Sequence, residues 1–150
     1  MEKTAARRRC DPALCDAAAE GDLRRVRRML LAGVSPDSFD EEGTTALMAS
    51  AFAAQTPVVR ALLEAGADPN MQDVSGLTAL MNAVIANGEM DLDGAFGVFT
   101  EVVEALLEAG AETDIEDEDG MTALDHADAY DLHEMTLLLE SAAPDDRRGI

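Results

Sequence analysis

The stretch from Val58 to Asp68, VVRALLEAGAD, returns almost unchanged as VVEALLEAGAE from Val102 to Glu112. Extending both copies outward gives the full unit. GTTALMASAFAAQTP, from Gly43, precedes the first copy, and GLTALMNAVIANG, from Gly76, precedes the second. A third start, GMTALDHADAYDL, opens at Gly120. The first two starts are 33 residues apart and the next two are 44 apart. Thirty-three residues before Leu47 and Gly66 stand Leu14 and Gly33, within LCDAAAEGDLRRVRRMLLAGV, a divergent first copy. Four units of about 33 residues, with an insertion of eleven in the third, account for nearly the whole chain. A fixed period of this size marks a solenoid, in which each unit hides its apolar face against its neighbours.

The residues of each unit predict a helix, a break, a second helix and a loop. In TTALMASAFAA the apolar positions recur at helical spacing, and Thr45 stands where a hydroxyl caps the free N–H groups of the first turn. Thr78 and Thr122 hold the same place, and Asp11-Pro12 does that work in the first unit. In PVVRALLEA, Val58, Val59, Leu62 and Leu63 form one buried stripe. Gly66 follows, where a left-handed residue ends a helix cheaply, and Gly33 and Gly110 repeat it. The next ten residues, ADPNMQDVSG in the second unit, carry turn formers and no helical period.

This pattern resembles the ankyrin repeat. The match rests on Gly43, Thr45, Ala46, Leu47, Val58, Val59, Leu62, Leu63, Gly66-Ala67-Asp68 and Asn70. It continues in Gly76, Thr78, Ala79, Leu80, Val102, Val103, Leu106, Leu107 and Gly110-Ala111, then in Gly120, Thr122, Ala123, Leu124 and Leu138-Leu139. The resemblance implies an all-α ankyrin-repeat solenoid of stacked helix-turn-helix pairs with hairpin loops, over about residues 11–142. The expected units are 11–42, 43–75, 76–119 with an insertion near 89–99, and 120–142, between a flexible N-terminus (1–10) and a frayed C-terminus (143–150). One departure stands out. The family's Thr-Pro-Leu-His reads Thr-Ala-Leu-Met at Thr45 and Thr78, and Thr-Ala-Leu-Asp at Thr122. The hydrogen bonds that this His makes between hairpins are then expected to be missing, with Met48 and Met81 filling the space by apolar packing.

Composition bounds the function. The chain of 150 residues is 47% hydrophobic, but only 3% aromatic, which suits helices packed through Ala, Leu, Val and Met. It has no apolar run of about 18 residues to span a membrane and no secretory leader pattern, so a cytoplasmic location is expected. Cys10 and Cys15 lie five apart, with Cys15 inside an Ala-rich helical pattern. Side chains five apart on one helix point to different sides, so free, partly buried thiols are expected, with neither a disulfide nor a metal role.

Charge is unevenly distributed. The net formal charge is −20, yet residues 1–30 hold eight basic and five acidic residues. Residues 31–146 hold one basic residue, Arg60, against 26 acidic ones. Such a body repels nucleic acid and anionic lipid and attracts basic surfaces at moderate salt. Arg24, Arg25, Arg27 and Arg28 lie along the second helix of the first unit and read most simply as a solvated end cap. A head-to-tail contact with the acidic body of another copy is the lesser reading, and a monomer is expected.

Catalytic and metal-binding constellations are lacking. His126 and His133 are the only histidines, seven apart, without the paired spacing of a zinc site. No nucleophile, base or phosphate loop stands out, so neither an enzyme nor a cofactor is expected. The insertion EMDLDGAFGVFT, Glu89–Thr100, places Asp91, Asp93 and Gly94 as in a calcium loop. However, Glu89 holds the first place and Thr100 the twelfth, where a bidentate Glu is required. It reads instead as an extended loop with Phe96 and Phe99 tucked against the stack.

Function is then expected at the surface. The resemblance implies protein binding through hairpin tips and the concave face of the first helices. By register these positions include Glu41, Glu42, Phe52, Val74, Leu77, Ile85, Glu118, Met121 and Tyr130. Phe52, Leu77, Ile85, Met121 and Tyr130 describe an apolar strip, with Glu41, Glu42, Glu116, Asp117, Glu118 and Asp119 as an acidic rim. The expected partner is a protein with a basic, partly apolar surface. The alternatives are an acidic inhibitor that occludes the basic active site of a nuclease or toxin, and an acidic surface adapted to high salt.

Overall fold

The structure, a computed structural model, describes residues 12–89 and 100–143. The expectations for residues 1–10, 90–99 (with the calcium-loop reading and the placement of Phe96 and Phe99) and 144–150 lie outside the described residues. The helices are α1 (Pro12–Glu20), α2 (Leu23–Leu31), α3 (Ala46–Phe52), α4 (Thr56–Glu64), α5 (Ala79–Glu89), α6 (Thr100–Glu108), α7 (Ala123–Ala129) and α8 (His133–Ala142). Among the described residues these eight helices and one isolated bridge, Phe39 to Thr45, are the only regular structure. The helices form two rows: α1, α3, α5 and α7 stack in order, and α2, α4, α6 and α8 stack behind them.

Local chemistry sets each helix start. The Thr45 hydroxyl accepts the N–H of Met48, and the Thr122 hydroxyl accepts that of Asp125. Thr78 does the same for Met81. Asp125 returns a strong bond, taking the Thr122 N–H at 2.8 Å, whereas Met48 offers only its sulfur at 3.5 Å. The core is small and aliphatic: Leu14, Leu47, Leu62, Leu80, Leu106 and Leu139 are fully buried, with Val26, Val59, Val84 and Val103 between them. Met48 and Met81 are buried too, filling the space as expected.

Both ends of the outer row turn polar, and the internal repeat shows how. Val26, Val59 and Val103 are buried against the following unit, but the fourth unit has Thr136 there. Leu30, Leu63 and Leu107 pack on the core, but the fourth unit has an exposed Glu140. Towards the preceding unit the order reverses. Val58, Val102 and Met135 are buried, while the first unit has an exposed Arg25, and Arg28 is exposed where Ala61 and Ala105 are buried. A solenoid whose end helices carry charge in place of stacking residues keeps those faces in water.

Hydrogen bonds hold the hairpins as well as apolar packing. One Asp per hairpin, at Asp40, Asp73 and Asp117, folds the turn around a single oxygen. Asp40 Oδ1 accepts the N–H groups of Glu42 and Thr44, Asp73 Oδ1 those of Ser75 and Leu77, and Asp117 Oδ1 those of Asp119 and Met121, all at 2.9–3.0 Å. Neighbouring hairpins are then bonded directly. Val74 N–H donates to Glu42 O at 2.9 Å and Glu118 N–H to Ser75 O at 3.0 Å. Side chains add Asp68 N–H to Asp37 Oδ1, Glu112 N–H to Asn70 Oδ1, and Gln72 Nε2 to Glu116 O. Backbone groups need partners wherever the chain is partly buried, and these residues supply them without the missing His.

Two further points differ from expectation. Cys15 is disulfide-bonded. The other cysteine, Cys10, lies outside the described residues. The third unit also ends its inner helix differently. Gly21, Ala54 and Asp131 take left-handed φ values of +77°, +56° and +56° in the turn between paired helices. Asn87 holds the equivalent place, yet α5 runs through it for 11 residues, against 7 in α3 and α7. The eleven extra residues of this unit follow in the sequence. The added turn of α5 carries Gly88 directly beneath the ring of Tyr130.

Candidate protein-binding surface

The hairpin bonds place Glu42, Val74, Ser75 and Glu118 in one continuous strip. Glu41, Glu42, Glu118 and Asp119 are all exposed along it, and Val74 between them is 71% exposed. The ends of the inner-row helices contribute Phe52, the last residue of α3 and 41% exposed, and Tyr130, just after α7 and 39% exposed. The other apolar residues expected to face solvent do not stand free. Leu77 is half-buried and packs on the core, and Ile85 and Met121 are half-buried as well. Tyr130 rests on Gly88, so its ring is partly a packing element.

The acidic rim also needs correction. Asp117 is not a rim residue: its side chain is almost fully covered, with one oxygen on two backbone N–H groups and the other 2.8 Å from His126 Nε2. Burial by itself pushes this carboxyl up, but the N–H groups of Met121 and Asp119 and the His126 ring outweigh it and hold the carboxyl below its ordinary range. Asp40 and Asp73 do the same structural work in their hairpins. The strip's available charge therefore comes from the Glu residues and Asp119.

Comparing each unit with its sister units isolates what folding does not require. Val74 stands where the other tips carry Glu41 and Glu118. Leu31, 89% exposed, stands where the other outer helices carry Glu64, Glu108 and Ser141. Leu137 is also exposed, where Arg27, Arg60 and Glu104 hold the place. Sequence reasoning singled out Val74 but missed Leu31 and Leu137, although aligning the outer helices at 33 and 44 residues would have found both.

Among the described residues no group of three or more His, Cys, Asp or Glu is placed to hold a metal ion. None of their helices is long and apolar enough to cross a membrane. The model of ankyrin repeats in three copies matches residues 14–92. The crystal structure of an ankyrin repeat domain from Acinetobacter baumannii AYE is 32% identical, with a TM-score of 0.77, over 86% of this chain. The chain spans 63% of that domain's length. No curated protein matches the chain. Ankyrin repeats are generally protein–protein interaction modules, and the family is generally non-catalytic. With that match over more than half of the chain, and with its stacked helix pairs and hairpins, this chain belongs to the ankyrin repeat family.

Proposed function

We propose that this protein is a non-catalytic interaction module that grips a partner with a basic, partly apolar surface along its hairpin tips and concave helix face. The observation that carries this reading is Val74, an exposed apolar side chain set between the acidic tips Glu41-Glu42 and Glu118-Asp119. Fully burying a Val contributes about 1.5 kcal/mol or more, whereas an exposed ion pair contributes about 0–1 kcal/mol. The apolar residue therefore supports affinity, and the glutamates set encounter rate and salt sensitivity.

The test is capture from a lysate of the source organism by the parent and by Val74→Asp, washed at low and then moderate salt. A protein held by the parent, lost by the variant and released as salt rises supports the reading. The same set retained by both sinks it. The inhibitor reading draws on the same acidic tips and adds a further requirement: the captured protein must lose a nuclease or other activity on binding.

A further inference from the structure

The first unit carries the chemical complement of the tip strip. Arg24, Arg27 and Arg28 line one groove on α2 together with Leu23 and Leu31. All three arginines are exposed, and Leu31 is the most exposed large apolar side chain among the described residues. Arg28 is accounted for as an end cap, since its equivalents Ala61 and Ala105 are stacking residues. Leu31 has no such account. A cap needs polar side chains, and the equivalent positions elsewhere carry Glu64, Glu108 and Ser141.

Two of the chain's departures from its own repeat have opposite surroundings: Leu31 stands among arginines and Val74 among glutamates. We propose that the two surfaces meet between copies, the α2 groove of one molecule seating on the hairpin-tip strip of the next. This rests on the reading of the tips as a binding surface and names one occupant for it, a second copy of this chain, in place of the monomer expected from sequence.

Charge sets the conditions. Each copy carries −20, so two copies repel at long range. At about 0.15 M salt the Debye length is roughly 8 Å, which confines electrostatics to facing groups. The facing groups are then Arg24, Arg27 and Arg28 against Glu41, Glu42, Glu118 and Asp119, with Leu31 and Val74 withdrawn from water together. The two patches lie on different parts of one chain, so the contact is head to tail and extends beyond two copies unless the rotation closes a ring.

The deciding experiment is sedimentation velocity over a concentration series at about 0.15 M salt, using the parent, Leu31→Asp, Val74→Asp and an equimolar mixture of the two variants. Both positions are exposed, and circular dichroism verifies that each variant folds. The parent's mean mass is expected to rise with concentration, while each variant alone stays at monomer mass. The mixture is expected to give a species of two chains and nothing larger, because each variant supplies the surface that the other lacks. A parent that stays monomeric overturns the inference, as does association that survives either substitution, or a mixture that remains monomeric. A monomeric parent whose captured partner is lost by Val74→Asp overturns self-association alone and leaves the tip reading standing.

Discussion

His126 Nε2 lies 2.8 Å from Asp117 Oδ2, which ties the last hairpin to the inner helix that follows it. Asp117 is held below its ordinary range in the fold. A carboxyl with a depressed folded pKa contributes stability that is present above its unfolded value, about 3.9, and is lost as pH falls through the folded value. Asp117→Asn keeps an oxygen for the two N–H groups but removes the titration. Urea melts should show the parent losing more stability than Asp117→Asn as pH falls from about 5 to 3. Equal losses in the two proteins would remove Asp117 from the acid response.

Gly76 and Gly120 have nearly the same φ, +80° and +77°, but different neighbours. A Cβ on Gly76 would lie 2.8 Å from the Asp117 Cα and 2.9 Å from the Glu118 nitrogen of the next hairpin. One on Gly120 meets nothing within 4 Å, since no further hairpin follows among the described residues. Gly120→Ala should cost about 1–2 kcal/mol, the left-handed penalty alone. Gly76→Ala should cost more than about 3 kcal/mol, because backbone must also move. Chemical denaturation of the two variants measures the difference, and similar costs would mean that hairpin contact is not tight.

Tyr130 is the only tyrosine and the chain has no tryptophan, so its emission reports one contact. A methyl on Gly88 would overlap the Tyr130 ring. Gly88→Ala should therefore raise acrylamide quenching of tyrosine emission, with the helical signal unchanged or slightly increased, since Ala is the better helix former by about 1 kcal/mol. Unchanged quenching would show that the ring does not rest there.

The repeat was legible because stacking requires the same small vocabulary at the same spacing. Leu47, Leu80 and Val59 are buried for the reason their spacing suggested, and Thr45 and Thr122 cap as hydroxyls do. The site was less legible. Leu77 and Met121 looked like interface residues because register places them near the concave face, but register does not say how far a neighbouring hairpin covers a side chain. Asp117 looked like rim charge because its sequence neighbours are acidic, and only its bonded partners distinguish it from Glu118. Asp40, Asp73 and Asp117 recur at the repeat spacing and were readable as turn-formers, yet among so many acids their regularity was masked.

By itself, the sequence determined the repeat, the helix pairs, the glycine-ended outer helices and the asymmetry of charge, since all of these follow from local spacing and composition. The tertiary structure decided which acids are structural, which apolar residues remain uncovered, and that hairpins bond to one another without the family's histidine. Those properties depend on contacts between units 33 to 44 residues apart. Burial at such a distance is set by the approach of whole elements, which no local pattern encodes.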